Sequence, residues 1–280
     1  MDSAYAKLDR AREHLAELQT AVGEFRDQDL SGEVSATVED HQDDPSLAVV
    51  TISIQMQAPM RWSVIMGDIL TNLRAALDHA VYGHAAARQQ LSSSQRKDLK
   101  YPIFTERHDW DGMPDSVRAD GTIKKGLKGA YEELRPLIAP DVLSRIKTSQ
   151  PFEAQKVPPE WHALAVMNGL VNRDKHRAIN DVPINLAQLA ITGGELEVVS
   201  QSDATVQSDG TVVTTAIVRR PNRPEGAEPR DVRMNFEAVA GFMEEVELPR
   251  ANARRPFLQV MEQLVNAVGE HLDELKAAGC

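Results

Sequence analysis

The chain of 280 residues has one cysteine, Cys280. A lone thiol closes no intrachain disulfide and supplies no cysteine-rich zinc site, and it fits a reducing compartment, so a cytoplasmic location is expected. Long apolar runs are also missing. No segment approaches the roughly 20 apolar residues that span a bilayer, and the opening MDSAYAKLDRAREHLAEL is charged and amphipathic, so neither secretion nor membrane insertion is expected. Positive charge is in deficit. A net charge of -11 argues against a protein that coats nucleic acid non-specifically, because that binding needs a dominant positive surface. Basic residues do collect locally, at 96–100, 124–128 and 219–223, where they read first as solvated loops. There is no Gly-rich phosphate loop, GxSxG elbow, cysteine nucleophile in a histidine context, or internal repeat.

What is present is periodicity. Leu8, Leu15, Leu18, Val22 and Phe25 predict a helix over residues 3–26, and alternating Val, Thr and Ile in 33–39 and 47–57 predict an antiparallel hairpin. Pro59 then opens the longest predicted helix, about 60–88. Its core stripe is Trp62, Ile65, Met66, Ile69, Leu73, Leu77 and Ala80. Residues 92–120 read as loop around a short apolar YPIF. Helices are expected at 127–138, 141–147 and 160–179. From 183 the period changes to two, and 184–192, 195–201, 204–207 and 211–220 read as an antiparallel meander that 231–236 can extend. An amphipathic helix over 257–276 follows. This order predicts a single α+β domain over 1–280, a helical bundle core with an antiparallel β hairpin and a C-terminal β meander. The helical core is expected at about 1–30, 59–180 and 256–277, and the β elements at about 33–57 and 184–248.

Two polar clusters interrupt these patterns. On the long helix, Arg74 and His79 flank the face opposite the apolar stripe with Asp78 between them, and Asp68 and Asn72 lie on the His79 side. At about 100° per residue Arg74 and His79 stand roughly 140° apart, so one helix cannot close both on one phosphate. A second copy could. The other cluster is NRDKHR at 172–177, where Asp174 continues the stripe Leu164, Met167, Val171 and therefore needs a cationic partner, for which Lys175 or Arg74 is a candidate. His176 and Arg177 read more simply as the basic end of a helix.

Residues 72–79, NLRAALDH, resemble the Arg-x4-His signature of the HEPN superfamily of helical ribonucleases. The resemblance covers one helix. It implies metal-independent RNA cleavage, without a cofactor, in a site formed between two protomers. Arg74 would hold the scissile phosphate and His79 would act as general acid or base on the 2′-hydroxyl or leaving oxygen. Asn72, Asp78, Asp174, Lys175 and His176 would support them. The expected protein is then an endoribonuclease of toxin or phage-defence type, with RNA as substrate, a second copy as partner and an antitoxin or regulatory protein as a further one. The alternative is a non-catalytic macromolecular interaction protein in which Arg74, Asp174 and their neighbours form a structural network. A metal-dependent hydrolase using His79 with His162 or His176 is the third reading. A catalytic pair needs a solvent-reachable cleft, whereas a structural network buries its members fully paired.

Overall fold

The computed structural model describes residues 1–27, 34–55, 58–114, 116–117, 123–124, 126–176, 182–192, 197–203, 205–206, 211–220 and 237–280. The class is α+β. In chain order the elements are α1 (Asp2–Arg26), β1 (Val34–Asp40), β2 (Leu47–Gln55), α2 (Met60–Arg88), α3 (Ser93–Asp98), α4 (Arg107–Asp111), β3 (Ser116–Val117), β4 (Ile123–Lys124), α5 (Ala130–Leu134), α6 (Pro140–Thr148), α7 (Ala163–His176), β5 (Ile184–Thr192), β6 (Glu197–Gln201), β7 (Thr205–Val206), β8 (Thr211–Arg219), β9 (Glu237–Leu248), β10 (Ala253–Pro256) and α8 (Phe257–Ala277). Contacts gather the chain into two compact units, one of Met1–Gly23, Met60–Asp181 and Val246–Cys280, the other of Glu24–Pro59 and Val182–Glu245.

The first unit is helical, with α2 packed against both α7 and α8, and α7 against α8. The expected stripe of α2 is buried in full, Trp62 through Ala80. On the two helices it packs against, Leu164, Met167 and Val171 of α7 and Met261, Leu264, Val268 and Leu272 of α8 are buried as well. Side chains tie α1 alongside: Arg61 donates to Glu17 at 2.7 Å, and Tyr5 to Asp273 at 2.6 Å. Two short helices stand where a loop was expected. In α3 a capping box explains why: the Ser92 hydroxyl accepts from the Gln95 amide at 3.2 Å, and the Gln95 side chain accepts from the Ser92 amide at 2.8 Å. The helix expected from 160 starts at 163, because 159–161 forms a 3-10 turn. Among the described residues no helix is long and apolar enough to cross a membrane.

In the second unit the hairpin forms as its alternation predicts, Val34 opposite Ile54 through Asp40 opposite Ala48. The later strands do not run as one meander: β2 takes β8 as its second neighbour, β6 and β7 also pair with β8, and β5 pairs with β9 instead. Period two explains the β2–β8 choice. Ala48, Val50 and Ile52 are all buried and stand opposite the buried Val218, Ala216 and Thr214, so the register puts both inner faces on one side. The expected strand at 231–236 lies outside the described residues.

Candidate functional site

Helix α2 separates its two signature residues. Arg74 turns toward the protein and binds its helical neighbour Asp78, Nε to Oδ2 at 3.3 Å and Nη2 to Oδ1 at 3.0 Å. The same Nη2 donates to the Tyr101 carbonyl at 2.7 Å, while the Tyr101 amide donates to Asp78 Oδ1 at 2.8 Å. Tyr101, Pro102 and Ile103 are buried without belonging to a helix or strand. Their backbone polar groups therefore need side-chain partners, since an unpaired buried N–H or C=O costs about 1–3 kcal/mol. Arg74 and Asp78 supply two. Gln150, itself buried, supplies the next two, accepting from the Phe104 amide at 3.0 Å and donating to the Pro102 carbonyl at 3.0 Å. Arg74 is thus a brace for an irregular buried segment, with its side chain only 14% exposed.

The side chain of Tyr101 carries the network inward. Its hydroxyl meets His271 Nε2 of α8 at 2.6 Å, and the two rings sit edge to face. His271 Nδ1 lies 3.5 Å from Glu274, which sets the tautomer: Nδ1 carries the proton and Nε2 accepts from Tyr101. Glu274 in turn binds Arg145 of α6. Burial drives the His271 pKa down to about 4, overcoming the pull of Glu274, and pushes the Tyr101 hydroxyl well above its ordinary value. The Arg145 guanidinium holds Glu274 below the usual carboxylate range.

The other expected site residues are scattered. His79 is exposed and has no hydrogen-bond or ionic partner among the described residues. Asp68 and Asn72 share its open face. Asn72 donates to its own helix at the Asp68 carbonyl, 2.8 Å, and its amide oxygen lies 3.5 Å from Lys7. Asp174 is half-buried, and its carboxylate lies over Gly67, where an added Cβ would stand 3.3 Å from both oxygens. The expectation that Arg74 could pair with Asp174 is not met, because the polar contacts of Arg74 go to Asp78 and Tyr101. Lys175 and His176 close α7 in the backbone, but their side chains, and Arg177 altogether, lie outside the described residues.

Arg74 also lines a cavity of about 890 Å³, whose lining does not include His79. The two are therefore not brought into one cleft within a single chain. Among the described residues no three His, Cys, Asp or Glu side chains converge as metal ligands, so the metal-hydrolase reading has no ligand set there. His162, lowered by burial, accepts from the Leu164 amide at 3.3 Å. Trp161 is half-buried with the Arg255 guanidinium 4.6 Å over its ring.

The sequence reading missed Tyr101, Gln150, His271, Glu274 and Arg145. One signal was available: His271 sits seven residues after Leu264, an inward position of α8, where a polar residue demands a partner. No protein-family model, curated protein or solved structure matches this chain, so the HEPN resemblance stands on residues 72–79 alone.

Proposed function

We propose that this chain is a macromolecular interaction protein that acts through the open face of α2, and that its first partner is a second copy of itself. The observation that carries this reading is the symmetry of the exposed stripe. Val64, Asp68, Thr71, Ala75, His79 and Tyr82 follow one another at helical spacing, and Val64 and Tyr82 are 49% and 37% exposed. About a two-fold axis near residue 73, an antiparallel copy sets Val64 opposite Tyr82 and Asp68 opposite His79, with the small Thr71 and Ala75 at the crossing. Apolar meets apolar and acid meets imidazole, which is what a self-complementary interface requires. Arg74 and Asp78 take no part, because the 101–104 segment engages them.

A second reading is favoured by one observation, the exposed and unpartnered His79. In it the chain is a HEPN-like, metal-independent endoribonuclease of toxin or phage-defence type, acting in the cytoplasm on RNA and held in check by an antitoxin or regulatory protein. The same two-fold pairing brings two copies of His79 to one interface, and Arg74 retains Nη1 for a phosphate, since that nitrogen makes no hydrogen bond among the described residues.

One experiment separates the readings. Purified protein is incubated with varied single-stranded RNAs in EDTA, and the products are scored for 2′,3′-cyclic phosphate ends. Under the ribonuclease reading the wild type cleaves, His79→Ala loses about two orders of magnitude or more, and Arg74→Lys is impaired because a point charge cannot copy the planar fork. Under the interaction reading no RNA is cleaved while the protein remains dimeric.

A further inference from the structure

None of the residues lining the cavity beside Arg74 lies on the open stripe of α2, and of the residues that carry the two readings above only Arg74 is shared. Its volume, about 890 Å³, falls in the roughly 300–1,000 Å³ range of small-molecule sites. The polarity of its walls is ordered by depth. Tyr101, Ile103, Leu134 and Leu137 form a buried apolar wall. The acidic groups on the lining, Asp98, Glu132 and Glu133, are all exposed, and Glu132 is engaged by Arg135 at 2.8 Å. The polar groups that are less than fully exposed include Arg74 and Asn168. Arg74 is held in place by Asp78 and the Tyr101 carbonyl, yet its Nη1 has no hydrogen bond among the described residues, and neither has the Asn168 amide. A fixed guanidinium and an unengaged amide that line one cavity with an apolar wall supply N–H donors for an acceptor bound there.

We propose that this cavity is a binding site for a small amphipathic organic anion, its carboxylate or phosphate head on Arg74 Nη1 and Asn168 and its apolar body against Tyr101, Ile103 and Leu137. Preorganisation favours the site: the arginine is already immobilised by its brace, so binding orders little that is not ordered beforehand. A neutral ligand of the same shape would offer the donors only an uncharged, weaker acceptor.

The test uses octanoate as probe, with octanol as its uncharged counterpart and acetate as head without body, each followed by calorimetry and by thermal shift on the full chain. Octanoate is expected to bind and to raise the melting temperature, with octanol and acetate each at least about tenfold weaker, the first for want of a charged head and the second for want of an apolar body. Ala130→Phe, which adds a ring at a half-buried lining position, should abolish binding. Asn168→Leu should weaken octanoate without weakening octanol, and both variants are first checked for an unchanged melting temperature without ligand. Failure of octanoate to bind the wild type overturns the proposal, as does equal binding of octanol. Octanoate binding that survives in both variants places the ligand elsewhere and overturns it too.

Discussion

Replacing Tyr101 with Phe removes one oxygen from the protein interior and leaves the ring where it is. Tyr101 is 1% exposed and His271 5% exposed, so no bulk water replaces the lost hydroxyl at His271 Nε2. An orphaned buried acceptor costs about 1–3 kcal/mol, which for a unit of this size lowers the melting temperature by about 2–4 °C per kcal/mol. The same pair governs acid stability. His271 titrates at about 4 in the folded protein against an ordinary 6.5, so between those pH values the unfolded chain takes up a proton that the folded chain refuses. Stability therefore falls as the pH drops from about 6.5 to 4 and levels off below, a loss on the order of 3 kcal/mol from this residue. His84 and His162, both lowered mainly by burial, add to the fall with the same sign. Urea unfolding across pH 4–8 measures both effects. The double variant Tyr101→Phe/His271→Leu should recover most of the neutral-pH loss, because removing both partners leaves no orphan, and should show a shallower acid limb. A Tyr101→Phe protein as stable as the wild type, or an acid limb unchanged in the double variant, would refute the buried network.

Further outcomes follow from the brace and from α7. Arg74→Ala should lower stability by about 1.5–3 kcal/mol, leaving the Tyr101 carbonyl and the Asp78 carboxylate short of a donor, as read by thermal melting. His79→Ala, at an exposed position without a partner in its own chain among the described residues, should leave the helical circular dichroism unchanged while weakening the dimer in light scattering, since it removes the imidazole set opposite Asp68 of the second copy. Gly67→Leu should destabilise by driving its side chain into the Asp174 carboxylate, and combining it with Asp174→Ala should recover part of the loss in the same assay.

The long elements were legible because hydrophobic period decides them: α2 has the bounds its stripe and Pro59 imply, and the β1–β2 hairpin follows from alternation. The partners of β5 and β8 were not legible, since alternation says which face a residue takes but not which strand lies beside it. At the site, angular arithmetic put Arg74 and His79 both away from the core of α2, whereas Arg74 turns inward with its side chain 14% exposed and only His79 stays exposed. What it could not show was that Arg74 serves a segment 27 residues later. YPIF has no period, so nothing in it announces buried irregular backbone that draws on Arg74, Asp78 and Gln150. A buried His271 likewise shows only as a polar residue at an inward position, with its partner Tyr101 170 residues away.

Light scattering on the wild type and on Tyr82→Asp, at tens of micromolar, tests the proposed self-pairing of α2 most directly. The account predicts a dimer for the wild type and a folded monomer for Tyr82→Asp, since a carboxylate opposite Val64 of the other copy breaks the apolar contact on both sides of the two-fold axis at once. A monomeric wild type, or a Tyr82→Asp protein that remains a dimer, would contradict it.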